Sequence, residues 1–599
     1  MIMRKFALGI HHFNIAYTAG NEMSYHRQVR ESISPFLDML LRHPTWCFSV
    51  EMSGFSLEFI AVNYPAVFSL LKLLITNKRI ELISSTYSPQ IWLAFPELDL
   101  IKSIEINNEL LNKYGISQSR IFFSQENFFG EGIKTLSKWF DVAIVKEDYY
   151  STLYNEPLTN IKPYYLLGEI KLLIGWGHIL ESISDLYFSK NAEMYEKETL
   201  LNSNYALLKS ASETSSKSPF KTYVGVHKSI EWKWFHIGSS ERFTKPQISP
   251  SNPRTCQYDL FWSANIENML VNIENEGYVF AGIRHFINTI DDFEPEPCGP
   301  LLDGSWNMIK SQGGFVWTGL NHSVHEDCLL VRNINWRSRT QLLGVETLIN
   351  ILKEKMNIAE FNSSIIKAWK FQLLAEISDA TGWFPEKCEV LFGIQQSENV
   401  LNLITQMVAI IKLKFNIAHV LIDTMDNCLL ERADFYSNTE RRILKSKKLF
   451  IKEPLITGGD GQMKFYQLND MTQIIIGDYL PCASSFNILF EFNNAYLNYS
   501  PALMEASVVN WPLAIFKANN INLALPNGLI GINEELFLIK HNQFLNISGQ
   551  INKSLKQLNF EIYNPPSYNV HFVFTVFKGV VGEALDLANR INIFPTVSI

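Results

Sequence analysis

Arg120-Ile-Phe-Phe-Ser-Gln-Glu-Asn127 joins a three-residue apolar run to a polar cluster, and the fold turns on how this junction is read. Residues 121–123 have the short β-branched and aromatic texture of a buried strand, and a helix-like run opens beyond them. In α/β barrels the loops at the carboxyl ends of the strands build the site, so a polar cluster at this point would present one carboxylate to a substrate. Glu126 is that carboxylate and the candidate working residue. The same letters without context would more often be a solvated or paired surface acid.

Outward from this junction, residues 6–10, 46–50, 80–83, 142–145, 172–174 and 258–262 read as further strands. They alternate with helical patterns such as 65–75, where Val67, Leu70, Leu71 and Leu74 form one stripe. Such alternation predicts a parallel sheet, closed or open, over residues 1–310. Helical runs at 339–356, 363–377 and 398–415 predict a bundle over 311–449. From 450 to 599 the texture becomes short extended pieces divided by Gly, Pro and Asn, among them 473–476, 486–492, 521–525 and 570–577, which predicts an antiparallel β-sandwich. The serine-rich stretch 210–218 reads as a linker or surface loop.

A chain of 599 residues exceeds what one core usually supports, so several units are expected. The net charge of -8 and the lack of a dense Lys/Arg block leave no footprint for nucleic acid. Seven scattered cysteines without C-x-x-C spacing suit a reducing, cytoplasmic setting. The apolar run 6–10 is too short for a signal-peptide core, and no stretch reaches the ~18 apolar residues of a membrane span. Aromatic residues make up 13% of the chain, and their rings stack on sugar faces as readily as on each other.

Other strand ends carry polar residues. Gly9-Ile-His11-His12 lacks further ligands at zinc spacing, the nearest acid being Glu22, so hydrogen bonding to sugar hydroxyls suits it better than a metal. Glu51 and Tyr87 follow the second and third strands and are candidates to line a cleft. Asn265 and Glu267 share one face if 263–268 is extended. Breaking a glycosidic bond normally takes two carboxyl groups, one as nucleophile or base and one as acid. An amide cannot supply the proton, so Asn265 could orient a sugar but not act as the acid.

Together these residues resemble glycoside hydrolase family 57, nearest in style to its 4-α-glucanotransferases and α-glucan branching enzymes. Gly9-Ile-His11 is similar to the opening of the family's H-x-H-Q-P motif, with Phe13 and Asn14 departing from it. Pro35-Phe-Leu-Asp-Met-Leu-Leu-Arg-His-Pro44, Ser53-Gly54, Leu57-Glu58, Arg79-Ile-Glu81, Tyr87-Ser-Pro89 and Pro96-Glu-Leu-Asp99 resemble successive family segments in order. Ser124-Gln125-Glu126 falls at the nucleophile motif, and 142–148 resembles the strand after it. Asp303-Gly-Ser-Trp306 with Trp317-Thr-Gly319, and Ser378-Asp379 with Trp383, resemble later motifs. Asn265 occupies the position of the acid in the family's D-x-E motif.

The resemblance implies an incomplete seven-stranded β/α barrel, a helical bundle completing the cleft and a C-terminal β domain. It implies retaining chemistry on α-1,4-glucan with no metal or other cofactor. Glu126 inherits the nucleophile's role. Trp306, Trp383 and Asp379 join His11, Glu51, Tyr87 and Asn265 as sugar-binding candidates, and Glu267 is the nearest substitute acid, followed by Asp259 and Asp303. The altered acid position leaves a second expectation open, a noncatalytic glycan-binding or scaffold protein. A zinc α-mannosidase would show an early H-x-D pair and a polysaccharide deacetylase a T-F-D-D-G strand end, and neither is present. The oligomeric state is not legible.

Overall fold

The computed structural model describes residues 3–18, 22–145, 162–175, 225–239, 267, 270–271, 273–290, 293–304, 328–355, 359–381, 385, 387–416, 420–430, 442–443, 449–563 and 565–599. The expected strand at 258–262, the 210–218 stretch and most of a charged run at 439–448 lie outside them.

The described N-terminal strands are β1 (Arg4–His12), β2 (Phe48–Glu51), β3 (Ile80–Ile83), β4 (Ile121–Phe123), β5 (Val142–Val145), β6 (Tyr165–Leu167), β7 (Ile170–Ile174), β8 (Gly225–His227), β9 (Ile230–Ser239) and β10 (Tyr278–Ala281). One sheet runs β3-β2-β1-β9-β8, with β10 also paired to β1, and a second runs β4-β5-β7-β6. Pairing is parallel throughout except at the β6–β7 and β8–β9 hairpins. Strands β3, β4 and β5 keep the bounds read from sequence, whereas β6, β8, β9 and β10 are not among the expected strands.

Alternation along β1 builds two cores. Phe6, Leu8 and Ile10 pack with Ile83, Phe123, Ile144, Leu173 and Trp234, which come from both sheets. Ala7 faces the helix layer with Phe13, Phe36, Phe48 and Val50. Side chains shared across the two sheets make them one packed unit, and replacing Phe123 with Ala would cost about 3–5 kcal/mol.

Three long helices follow, Cys328–Ile351, Ala359–Ala375 and Lys387–Phe415, each starting earlier than its sequence stripe suggests. They share a core of Leu342, Val345, Leu373, Val400 and Ile404. The chain after Ala375 reaches back to the loop behind β3, where Ile91 N–H donates to Glu376 O at 2.8 Å and Ser378 N–H to Pro89 O at 3.0 Å. No described helix is long and apolar enough to cross a membrane.

The C-terminal part holds an eight-stranded and a five-stranded sheet, both antiparallel. Phe486, Ile488 and Phe490 of the strand Ser485–Glu491 share a core with Phe572 and Phe574 of the strand Val570–Lys578, the Phe490 and Phe574 rings lying 4.9 Å apart. Two features depart from a pure β unit. A helix spans Val581–Asn592, and the strand Thr596–Ser598 returns to pair with Leu421–Asp423. The molecule is thus mixed α/β with several sheets, and the expected C-terminal antiparallel layers are present.

Candidate active site

At the carboxyl end of β4, Ser124 accepts a 2.8 Å hydrogen bond from Trp92 Nε1, and the Phe128 N–H closes a turn on Gln125 O at 3.0 Å. Phe128 and Phe129 are wholly buried, and Phe129 forms a reciprocal backbone bridge with Gly304, 2.7 Å in each direction. The turn between these anchors is tight, and Glu126 takes it at φ 48°, ψ 24°, in the left-handed region that disfavours a side chain. Such a conformation costs on the order of 1–3 kcal/mol and persists only where the surroundings impose it. Ser124 and Gln125 are buried, while Glu126 stays half-buried.

Beside it, Gln125 Nε2 donates to Glu51 Oε1 at 2.9 Å, and Glu51 Oε2 is in salt-bridge contact with His12 Nδ1. His12, Glu51 and Gln125 are each at most 5% exposed, so this chain ties the ends of β1, β2 and β4 together out of water. Between β3 and β4 a side chain does the work of a strand pair. Ser85 Oγ donates to Ile121 O at 3.1 Å and accepts from Phe123 N–H at 3.0 Å.

Glu51 therefore lies beside the turn that carries Glu126, tied to it through Gln125, whereas three other expected site residues stand elsewhere. His11 points into the helix layer with no exposure, its ring 4.2 Å from that of Phe36 and 4.9 Å from that of Phe48. It shares the outward parity of Ala7, and His12, two residues on from Ile10, takes the inward place. Tyr87 is 3% exposed and donates to Glu58 at 3.0 Å, with Lys370 Nζ 4.9 Å above its ring. Burial, reinforced by the Glu58 charge, pushes its hydroxyl well above the usual range, and it serves the junction with the helices.

Glu267 is bound by Arg42 at 2.7 Å and His43 at 2.6 Å. The Arg42 hydrogen bond, opposed by partial burial and aided by His43, holds its carboxyl below the ordinary range. An acid catalyst needs the opposite shift. Arg42 and His43 precede β2, on the amino-end side of the parallel strands, whereas Glu126 follows the carboxyl end of β4. Glu267 is removed as the substitute acid.

Asp379 is 3% exposed, in the short helix Ser378–Thr381 that docks behind β3. Asp303 is fully buried, accepts from the Ala502 N–H at 2.8 Å, and has its pKa pushed up to about 8 by burial. Its second oxygen faces Gly130, where a Cβ would collide with it. Asn265, Asp259, Trp306, Trp317 and Trp383 lie outside the described residues. Among the described residues no group of three His, Cys, Asp or Glu side chains is placed to hold a metal ion.

The family model Glycosyl hydrolase family 57 matches residues 5–237. An alpha-amylase of Pyrococcus horikoshii is 27% identical over 146 residues, 24% of this chain and 23% of the relative. A 4-alpha-glucanotransferase of Thermococcus litoralis is 26% identical over 147 residues, 24% of this chain and 22% of the relative. The aligned segments thus span less than a quarter of these curated relatives. The crystal structure of an alpha-mannosidase from Enterococcus faecalis superposes with a TM-score of 0.56 at 10% identity, covering 99% of this chain and 89% of that one, which shows a shared fold alone. The resemblance carried by the motifs from His11 to Asp148 is borne out by the match of the glycosyl hydrolase family 57 model to residues 5–237 of this chain.

Proposed function

We propose that this protein acts on α-glucan by a retaining mechanism with Glu126 as the nucleophile. The observation that carries the reading is the placement of Glu126: half-buried, in a left-handed turn at a strand's carboxyl end, beside the buried His12–Glu51–Gln125 chain. The names of the relatives, an alpha-amylase and a 4-alpha-glucanotransferase, support the substrate class.

A carboxylate oxygen of Glu126 forms an ester bond to the anomeric carbon as the glycosidic C–O bond breaks, and the leaving oxygen takes a proton from a second carboxyl. Water, or a hydroxyl of another sugar, then attacks the same carbon and releases Glu126. The donor is an acid other than Glu267, standing about 5–5.5 Å from Glu126 if the chemistry is retaining. We also propose that β1–β5, β7 and β9 form an incomplete seven-stranded barrel around this site. The Ser85 bridge between β3 and β4, and the close packing of Gly175 at the end of β7 on the Trp234 indole of β9, support it.

A second reading, a glycan-binding protein without turnover, is favoured by Asn265 at the family's acid position and by the ion-paired state of Glu267. Chromatography of maltooligosaccharides incubated with the protein separates the two. New chain lengths support the enzyme, and binding without new products supports the second reading.

A further inference from the structure

We propose a second α-glucan-binding site, remote in sequence from Glu126, in the pocket between the start of the helix Cys328–Ile351 and the C-terminal sheets. The inference rests on the α-glucan reading above. The pocket has a volume of about 390 Å³ and is lined by Leu329, Asn333, Phe544, Tyr568, Asn569 and His571. That volume lies within the range of small-ligand sites and accommodates one or two hexose rings.

Its chemistry is that of a sugar site. Phe544 and Tyr568 are each 38% exposed and border the same cavity. Their faces offer the apolar surface on which the C–H side of a hexose stacks, and the polar lining supplies partners for its hydroxyls. Asn569 Nδ2 donates to Asp478 Oδ1 at 2.8 Å, and His571 Nδ1 lies 3.4 Å from the same oxygen, so the polar wall is pre-arranged. Asn333 Oδ1 is buried with no hydrogen-bond partner among the described residues, and a ligand hydroxyl would satisfy it. The described lining residues include no Lys or Arg, which disfavours phosphate or carboxylate ligands and suits a neutral polyol.

The loop carrying Phe544 is rigidly built. Buried Lys540 donates to Leu545 O at 2.8 Å, buried Arg332 donates to Asn546 O at 3.1 Å, and the Asn542 N–H donates to Asn592 Oδ1 at 2.9 Å. Two buried basic side chains hold a loop that exposes a phenyl ring, which indicates a pre-organised contact surface and lowers the ordering cost of binding.

The test is calorimetric titration of maltoheptaose into the full chain carrying Glu126→Gln, alone and with Phe544→Ala and Tyr568→Ala added. Both rings are exposed, so their truncation leaves the core intact. The expected result is a two-site isotherm in which the added substitutions weaken one site by about tenfold or more, while Phe544→Tyr with Tyr568→Phe retains it. An unchanged isotherm after truncation overturns the second site alone. No binding heat in either protein overturns it together with the α-glucan reading. Turnover by the Glu126→Gln protein bears on the nucleophile and leaves this isotherm to decide the second site.

Discussion

Gln125 and Glu51 are joined by a 2.9 Å hydrogen bond between the amide nitrogen of one and a carboxylate oxygen of the other, and both are almost wholly buried. Because Gln125 precedes Glu126, this bond fixes the turn that aims the proposed nucleophile, and His12 holds the other oxygen of Glu51. Glu51→Ala leaves a buried amide and a buried imidazole without their shared partner. The expected loss of stability is about 1–3 kcal/mol in urea unfolding. A fall in kcat larger than the change in KM is expected with maltooligosaccharide as substrate, since a mis-aimed nucleophile weakens the transition state more than the ground state.

The left-handed backbone at Glu126 separates stability from function. Glycine takes φ 48° without a Cβ penalty, so Glu126→Gly is expected to raise stability by about 1 kcal/mol while abolishing turnover. Glu126→Gln keeps the backbone strain and should leave the unfolding midpoint close to that of the parent. Urea titration of the three proteins measures both effects.

Asp303 makes stability depend on pH. Its folded pKa of about 8 lies far above that of an exposed Asp, so the folded state holds a proton that the unfolded chain has already lost. The stability tied to this proton is fully present below about pH 4 and is lost as pH rises through about 8. Glu505, also pushed up to about 8 by burial, adds a slope of the same sign. Asp303→Asn keeps an oxygen for the Ala502 N–H and removes the titration, so its urea midpoint should fall less between pH 5 and 9 than the parent's. Parallel curves for the two proteins would contradict the assignment.

The joint between the three regions centres on Arg339, fully buried, which binds Asp99 at 2.6 Å and donates to Ile593 O at 3.0 Å. Glu376 lies in the same cluster, accepting from Gln90 and Gln372 at 2.7 Å each, and burial and the Asp99 charge push its pKa well up. Arg339→Ala strands a buried carboxylate and is expected to cost about 3–5 kcal/mol. Glu376→Gln replaces a carboxyl whose ionisation burial opposes with an amide of the same shape and should change stability by less than about 1 kcal/mol. Thermal unfolding of both variants checks the contrast.

Much of the scaffold was legible because strands buried on both faces are short continuous apolar runs. Residues 80–83, 121–123 and 142–145 coincide with β3, β4 and β5 for that reason. Strand β9 is not among the expected strands although Trp232 and Trp234 alternate with Glu231 and Lys233. The interposed charges broke the apolar run while the period of two remained. Side-chain direction was the weaker inference at the site. Counting from Phe6, Leu8 and Ile10 would have placed His12 inward and His11 outward, since parity alone decides it. The destinations of Tyr87 and Glu267 depend on Glu58, Lys370, Arg42 and His43, which are brought to them by tertiary packing and leave no local trace.

The central claim is tested most directly by chromatography of maltooligosaccharides after incubation with the full chain and with its Glu126→Gln variant. The account predicts redistributed chain lengths with the parent and an unchanged profile with the variant. Redistribution by the variant at the parent's rate would contradict it.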